Sequence, residues 1–271
     1  MLGEGDGALD FAGIEQLASE ELTENGIDAD WGQLYHTCGG EHGFGAAPFD
    51  IATLLYRKSR WEVKQMGGTY LQPFSGCMER SGGGEGPTNY RVFLGQAFVH
   101  KRTGFEIIVV VAHFPHIKSY QREIQALSSA LSSFRVTSGI DQVVLIADTN
   151  QQKADSEIMA DIYPEAAGVV GSTPRTTCCY PIYLHDFDRI IAAGFRSQEA
   201  SMTTVFPFGI GDNHMPPDWA IVNMHDPVIA EFSLGGGLSF KRSQRSAAAR
   251  GIWQTWLAGC LLFLSFMHLQ G

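Results

Sequence analysis

Two aliphatic runs, Ile107–Ala112 (IIVVVA) and Val143–Ala147 (VVLIA), constrain what this chain can fold into more than any other feature. Each fits a strand covered on both faces of a sheet, and such a sheet needs a layer packed on either side. Each also stops abruptly at polar residues: the first at His113, the second at Asp148-Thr149-Asn150. On a strand, positions two apart point the same way, so Asp148 and Asn150 are expected to project together from its end. An acid beside an amide makes a poor core but a good site. The same pair also fits a strand-terminating turn, because Asp and Asn side chains bond their own backbone.

The rest of the chain is read around these runs. Leu9–Ile14 is a short apolar stretch, and Glu20–Pro48 is polar and Gly-rich, reading as helix or loop. IATLLYRKSRWEV, Ile51–Val63, reads as a hairpin: an apolar strand, a basic turn and a second strand. Strands are expected over Tyr90–His100 and Phe105–Phe114, separated by the turn KRTG. Ile124, Leu127, Leu131 and Phe134 recur at helical spacing and predict a helix over Tyr120–Phe134. A polar helical stretch follows Ala147, and then FDRIIAAG, DWAIVNM and VIAEFSL, the last two read as strands. Strands outnumber helices. The expected class is α/β: a four-layer sandwich of two packed mixed β-sheets flanked by helices, in one domain over residues 1–234.

Composition narrows the function. A formal net charge of -10 argues against a protein that coats nucleic acid through bulk electrostatics. It leaves room for an enzyme that grips one phosphate with a metal ion, since the ion supplies the local positive charge. The five cysteines form no CxxC pair and no structural-zinc spacing, and their connectivity is not legible from sequence. The N-terminal MLGEGDGALDFAG lacks the features of a signal peptide. At the other end, residues 235–251 read as a basic, small-residue linker. Residues 252–271 then form an apolar tail, expected to attach the protein to a membrane as a span or as the signal for a lipid anchor.

Acid, amide or imidazole groups recur at the ends of separate elements. AHFPH carries His113; HDFDRIIAAG carries Asp186 and Asp188; GDNHMPPDWAIV carries Asp212, Asn213 and His214. The ordered set AHFPH, LIADTNQ, FDRIIAAG and GDNHMPPDWAIV resembles the endonuclease/exonuclease/phosphatase superfamily, and deoxyribonuclease I-type proteins within it. The similarity covers about Leu9 to Leu234. It implies that His113 supports the scissile phosphate and leaving oxygen, that Asp148 orients or deprotonates the attacking water, and that Asn150 contacts the phosphate. Asp188 matches an acid of the phosphate or metal site, and His214 a general acid/base. Glu15, in FAGIEQ, resembles the family's metal-binding Glu, with its neighbour Gln16 in reversed order. Oxygen ligands of this kind suit Mg2+ (or Ca2+ or Mn2+) better than zinc. By the same resemblance, Cys178 or Cys179 stands where relatives carry a disulfide cysteine; the alternative is two free thiols.

The chain departs from the pattern in two places. Asn213, at the metal-site end of the constellation, replaces the Asp that orients the catalytic imidazole, and Asp212 is the adjacent candidate to substitute for it. No counterpart of the family's first strand, with its metal-site Asn, precedes Leu9. The leading expectation is a metal-dependent phosphodiesterase or nuclease with nucleic acid as partner and no protein partner. The alternatives are a lipid or inositol phosphatase or sphingomyelinase-like enzyme at a membrane, and an inactive membrane-tethered binding module. The Gly-rich loops Gly39–Pro48 and Ser81–Pro87, which would discriminate substrates, carry no readable code.

Overall fold

The computed structural model describes residues 11–14, 30–38, 50–79, 90–115, 120–171, 177, 185–195, 200–205 and 228–234. In chain order its strands are β1 (Phe11–Ile14), β2 (Trp31–Cys38), β3 (Asp50–Arg57), β4 (Trp61–Val63), β5 (Gln65–Met66), β6 (Thr69–Tyr70) and β7 (Phe74–Glu79). They continue with β8 (Tyr90–His100), β9 (Glu106–His113), β10 (Val143–Asp148), β11 (Val170–Gly171), β12 (Asp188–Ala193), β13 (Ala200–Val205) and β14 (Ile229–Leu234). Helices α1 (Tyr120–Ser138) and α2 (Asp155–Ile162) follow β9 and β10.

The larger sheet runs β11-β12-β10-β9-β8, and β4 and β7 share the outer edge of β8. The sheet is mixed: β9 and β10 are parallel, as a helical crossover through α1 allows, and its other pairings are antiparallel. A smaller antiparallel sheet has the order β1-β3-β2. β13 pairs with β14, and β5 with β6, as two further ladders.

The aliphatic runs are continuous because both faces of the large sheet are covered. On one face Ile108, Val110, Val143, Leu145 and Ile191 meet the stripe Ile124, Leu127, Leu131 and Phe134 of α1, together with Ile158 and Met159 of α2. On the other, Val109, Val111, Val144, Ile190 and Ala192 meet Ala52 and Leu54 of β3, and Ala230 of β14 joins them. Among the described residues this makes three layers: helices, large sheet, and a second β layer. The expected α/β sandwich is the fold observed. The helix α1 ends where the pattern predicts plus one turn, closed by Gly139 at φ +69°, whose N–H donates to the Arg135 carbonyl at 2.8 Å.

Two local expectations are corrected. Ile51–Val63 is no hairpin: β3 belongs to the small sheet and β4 to the large one. The intervening turn is a crossing between layers, pinned by Asp30, whose carboxylate accepts the Ser59 N–H at 2.7 Å and the Ser59 hydroxyl at 2.6 Å. A hairpin and a sheet-to-sheet crossing share one local pattern of apolar strand, polar turn and strand. Only the distant partners tell them apart. The polar passage Glu20–Pro48 likewise contains strand β2, whose Tyr35 and Thr37 are exposed while Cys38 is buried.

Cys38 and Cys77 form a disulfide with a Cα–Cα distance of 5.6 Å, joining β2 of the small sheet to β7 of the large one. Cys178 and Cys179 lie outside the described residues, as does the apolar tail 252–271. Among the described residues no helix is long and apolar enough to cross a membrane.

Candidate active site

Strands β9, β10 and β12 lie side by side, and register places three chemically active residues in one row. Asp148 pairs with His113 across the parallel ladder and with Asp188 across the antiparallel one. Alternation along the strands sets their direction. His113 shares a face with Val109 and Val111, Asp148 with Val144, and Asp188 with Ile190 and Ala192, all of them residues of the core against the second β layer. All three side chains therefore belong to the same face, at the edge where β9 and β10 end.

Two members of the row are buried and Asp188 is half-buried. His113 and Asp148 are each 5% exposed, and His113 Nε2 lies 3.5 Å from Asp148 Oδ2. Directly opposed residues on antiparallel strands have Cβ atoms roughly 4.5–5.5 Å apart, and like charges at that spacing destabilise the pair. Asp148 thus faces a second carboxylate on one side and an imidazole on the other. An extra positive charge, from the protonated imidazole or from a bound cation, relieves the repulsion.

The turn after β10 completes the arrangement. Asp148 Oδ1 accepts the Asn150 N–H at 2.9 Å, an Asx turn of the kind the sequence allowed. Asn150 does not extend the strand, since its φ of 49° is left-handed, a region that Asn tolerates. Its Nδ2 donates to the Phe114 carbonyl at 2.9 Å, which fixes the amide over the end of β9. The amide carries a second N–H donor. The turn and the cluster are therefore one structure: the Asx turn positions both groups.

Neighbouring residues that sequence reasoning passed over hold this geometry. The buried Thr149 donates its N–H and its hydroxyl to the Phe187 carbonyl, each at 2.8 Å. Thr177, also buried, accepts the Asp188 N–H on its hydroxyl at 3.1 Å and donates its own N–H to the His185 carbonyl at 2.8 Å. Gln151 Nε2 donates to the Pro115 carbonyl at 3.2 Å. A lone Thr or Gln in a polar segment carries no signal of such a role.

Asp186 behaves differently. Its Oδ2 lies 2.9 Å from Arg189 NH2, and the same guanidinium reaches Asp155 Oδ1 at 2.7 Å through NH1 and the Gln151 carbonyl at 3.3 Å. Arg189 alternates with Asp188 along β12 and shares the face of Ile191, toward the helices. Asp186 is therefore placed in a structural ion-pair network, apart from the row of His113, Asp148 and Asp188. Burial of the Asp155 carboxyl, with repulsion from Asp186, raises its pKa despite the guanidinium. Glu15, Asp212, Asn213 and His214 lie outside the described residues; in sequence Glu15 directly follows β1.

Solved structures with this fold include an endonuclease/exonuclease/phosphatase from Bacteroides vulgatus, with TM-score 0.56 and 17% identity over 84% of this chain and 85% of that one. The Bacteroides thetaiotaomicron mannosyl-6-phosphatase aligns with TM-score 0.55 and 13% identity, covering 82% of this chain and 85% of its own. The human Nocturnin catalytic domain, solved with a bound sulfate anion, gives TM-score 0.54 and 12% identity over 83% of this chain and 81% of that one. The chain thus has the endonuclease/exonuclease/phosphatase fold. No protein-family model matches the sequence, and neither does any curated protein.

Proposed function

We propose that the chain is a divalent-metal-dependent phosphodiesterase that cleaves nucleic acid. The observation carrying this reading is the row of His113, Asp148 and Asp188, delivered by three adjacent strands to one face of one sheet edge. Two solved proteins of the same fold carry hydrolytic names, an endonuclease/exonuclease/phosphatase and a mannosyl-6-phosphatase. The donor set fits a hard divalent cation: opposed carboxylates on adjacent strands, with Glu15 and Asn213 assigned to the same site from sequence. Asp188, with Glu15 assigned from sequence, would hold such an ion, which would supply charge neutralisation at a phosphoryl oxygen.

The chain's own residues do the rest. Asp148 Oδ2 orients the attacking water and accepts its proton as the water oxygen bonds to phosphorus. The Asn150 N–H on Oδ1 holds the carboxylate in place for that transfer. His113, on the far side of Asp148, donates to a phosphate oxygen. The Asn150 amide offers a second donor, and His214 is assigned by sequence to protonate the leaving oxygen as its bond to phosphorus breaks. A chain of net charge -10 depends on bound cations to approach a polyanion, which agrees with metal dependence. The apolar segment 252–271 favours a second reading, a phospholipid or inositol phosphate substrate at a membrane.

A panel of DNA, RNA, sphingomyelin and inositol phosphates, each with Mg2+ and with chelator, tests the proposal. Cleavage of nucleic acid that chelation abolishes is the expected result. Cleavage of the lipid alone replaces it with the second reading, and inactivity on every substrate overturns both.

A further inference from the structure

The Cys38–Cys77 disulfide has a third ligand-type group beside it. His36 Nε2 lies 4.0 Å from Cys77 Sγ, and one ligand atom each from His36, Cys38 and Cys77 fall within 4.8 Å of one another. His36 and Cys38 are two apart on β2 and so share a face of that strand. Cys77 comes from β7 across the interface between the sheets. A disulfide that only staples two sheets needs no imidazole. Once the disulfide is reduced, two sulfurs and a ring nitrogen grouped this closely are what a soft or borderline cation takes as ligands.

We propose that His36, Cys38 and Cys77 form a redox-controlled site for a zinc-like divalent cation, closed as a disulfide when oxidised and open to metal when reduced. In the reducing step a dithiol supplies two electrons and two protons. The Cys38–Cys77 S–S bond breaks, two thiols form, and the reductant leaves as a disulfide. On metal binding each thiol releases its proton to solvent, two sulfur–metal bonds form, and His36 contributes its nitrogen lone pair. A disulfide oxidant, such as oxidised glutathione, reverses the sequence: the two sulfurs rejoin, two electrons pass to the oxidant and the ion is released. Cys38 is buried while His36 and Cys77 are half-buried, so an ion or a reductant would reach the site past the latter two.

The site is separate from the hydrolytic row but lies on the same edge and face. Cys77 pairs with Val92 on β8, next to Phe93, whose partner on β9 is Ala112, the residue before His113. Two strand spacings of about 4.8 Å place it roughly 10 Å from His113. Its donors also differ in kind, with sulfur and nitrogen here and oxygen there. A soft cation and a hard one are therefore sorted between two neighbouring sites by ligand chemistry alone.

The test uses the full chain carrying Cys178→Ser, Cys179→Ser and Cys260→Ser, with excess Mg2+ to fill oxygen-ligand sites, and Co2+ as the spectroscopic probe. The reduced protein should bind one Co2+ per chain, with a thiolate-to-cobalt charge-transfer band and tetrahedral visible bands, and excess Zn2+ should displace it. The oxidised protein should show neither band, and Cys77→Ser should abolish both. His36→Ala, at a half-buried position, should fold and lose affinity by more than the roughly 10–100-fold that outer-shell changes cost. If the triple-serine background fails to fold, the natural chain is compared with His36→Ala and Cys77→Ser under the same titration. The proposal is overturned by a reduced protein without the bands, by bands that persist in the oxidised form or in Cys77→Ser, or by unchanged affinity in His36→Ala.

Discussion

Strand β12 presents two charged groups in succession, Asp188 half-buried and Arg189 buried, and the protein treats them in opposite ways. Arg189, toward the helices, is 6% exposed and meets Asp155, Asp186 and a backbone carbonyl. Asp188, one residue earlier and on the other face, stands opposite Asp148, a group of its own sign. The first cluster holds a guanidinium between its two carboxylates. The second sets two carboxylates opposite one another beside an imidazole. Burial alone does not mark a working site. Register that opposes two carboxylates beside an imidazole is the stronger mark of a candidate site.

The comparison breaks if the two clusters respond alike to mutation. Asp148→Asn keeps the Oδ1 acceptor for Asn150 and removes one of two opposed charges. Hydrolysis should fall roughly 10²–10⁴-fold while the urea midpoint holds or rises. A parallel loss of activity and stability would make Asp148 a structural residue. Arg189→Met should do the reverse, since it strands Asp155 and Asp186 without their cation. A loss toward the low end of about 3–5 kcal/mol is expected, because both carboxylates are partly exposed, and urea denaturation measures it. An Arg189→Met protein of unchanged stability would show that the network contributes nothing.

Smaller effects sharpen the picture. Asn150→Gly and Asn150→Ala both remove the bond to the Phe114 carbonyl, but only Ala is strained at φ 49°. Ala should be less stable than Gly by about 1 kcal/mol in the same denaturation assay; equal stabilities would mean the turn relaxes. The smallest effect concerns pH. Burial raises the folded pKa of Asp155 above the usual carboxylate value, so the folded state keeps this proton where the unfolded state gives it up. Its contribution is complete below that value and is lost as pH rises through the folded pKa. Asp155→Asn should remove that part of the decline from a plot of urea midpoint against pH. Identical slopes in the two proteins would refute the shift.

What the sequence disclosed follows from how local each signal is. The runs in β9 and β10, the stripe of α1 and the polar stops at His113 and Asp148 are written in consecutive residues, and each stands where the pattern put it. The convergence of His113, Asp148 and Asp188 was legible only as an ordered set of motifs, since register is a property of pairing. Strand β2 was missed because Gly32, Tyr35 and Thr37 dilute the apolar signal on a strand with one exposed face. The β3–β4 crossing was misread because the sequence between them does not name their partners. The role of Asp186 turned on Arg189, and the side of a strand on which an Asp finds its Arg depends on a helix that starts at Asp155.

That β3–β4 crossing also governs how the chain comes to be folded. The link runs only from Lys58 to Arg60, yet it carries the chain from a sheet whose three strands precede it into a sheet whose other strands all follow it. β3 finds β1 and β2 already made, whereas β4 waits for β8, almost forty residues further on. The small sheet can pair early, but its inner face is covered only when the large sheet arrives. Assembly is then a search dominated by distant pairings, which is slow, and strand edges stay open to other molecules while it lasts. A newly made chain therefore leaves the inner face of its first sheet uncovered until the strands of the second have been made.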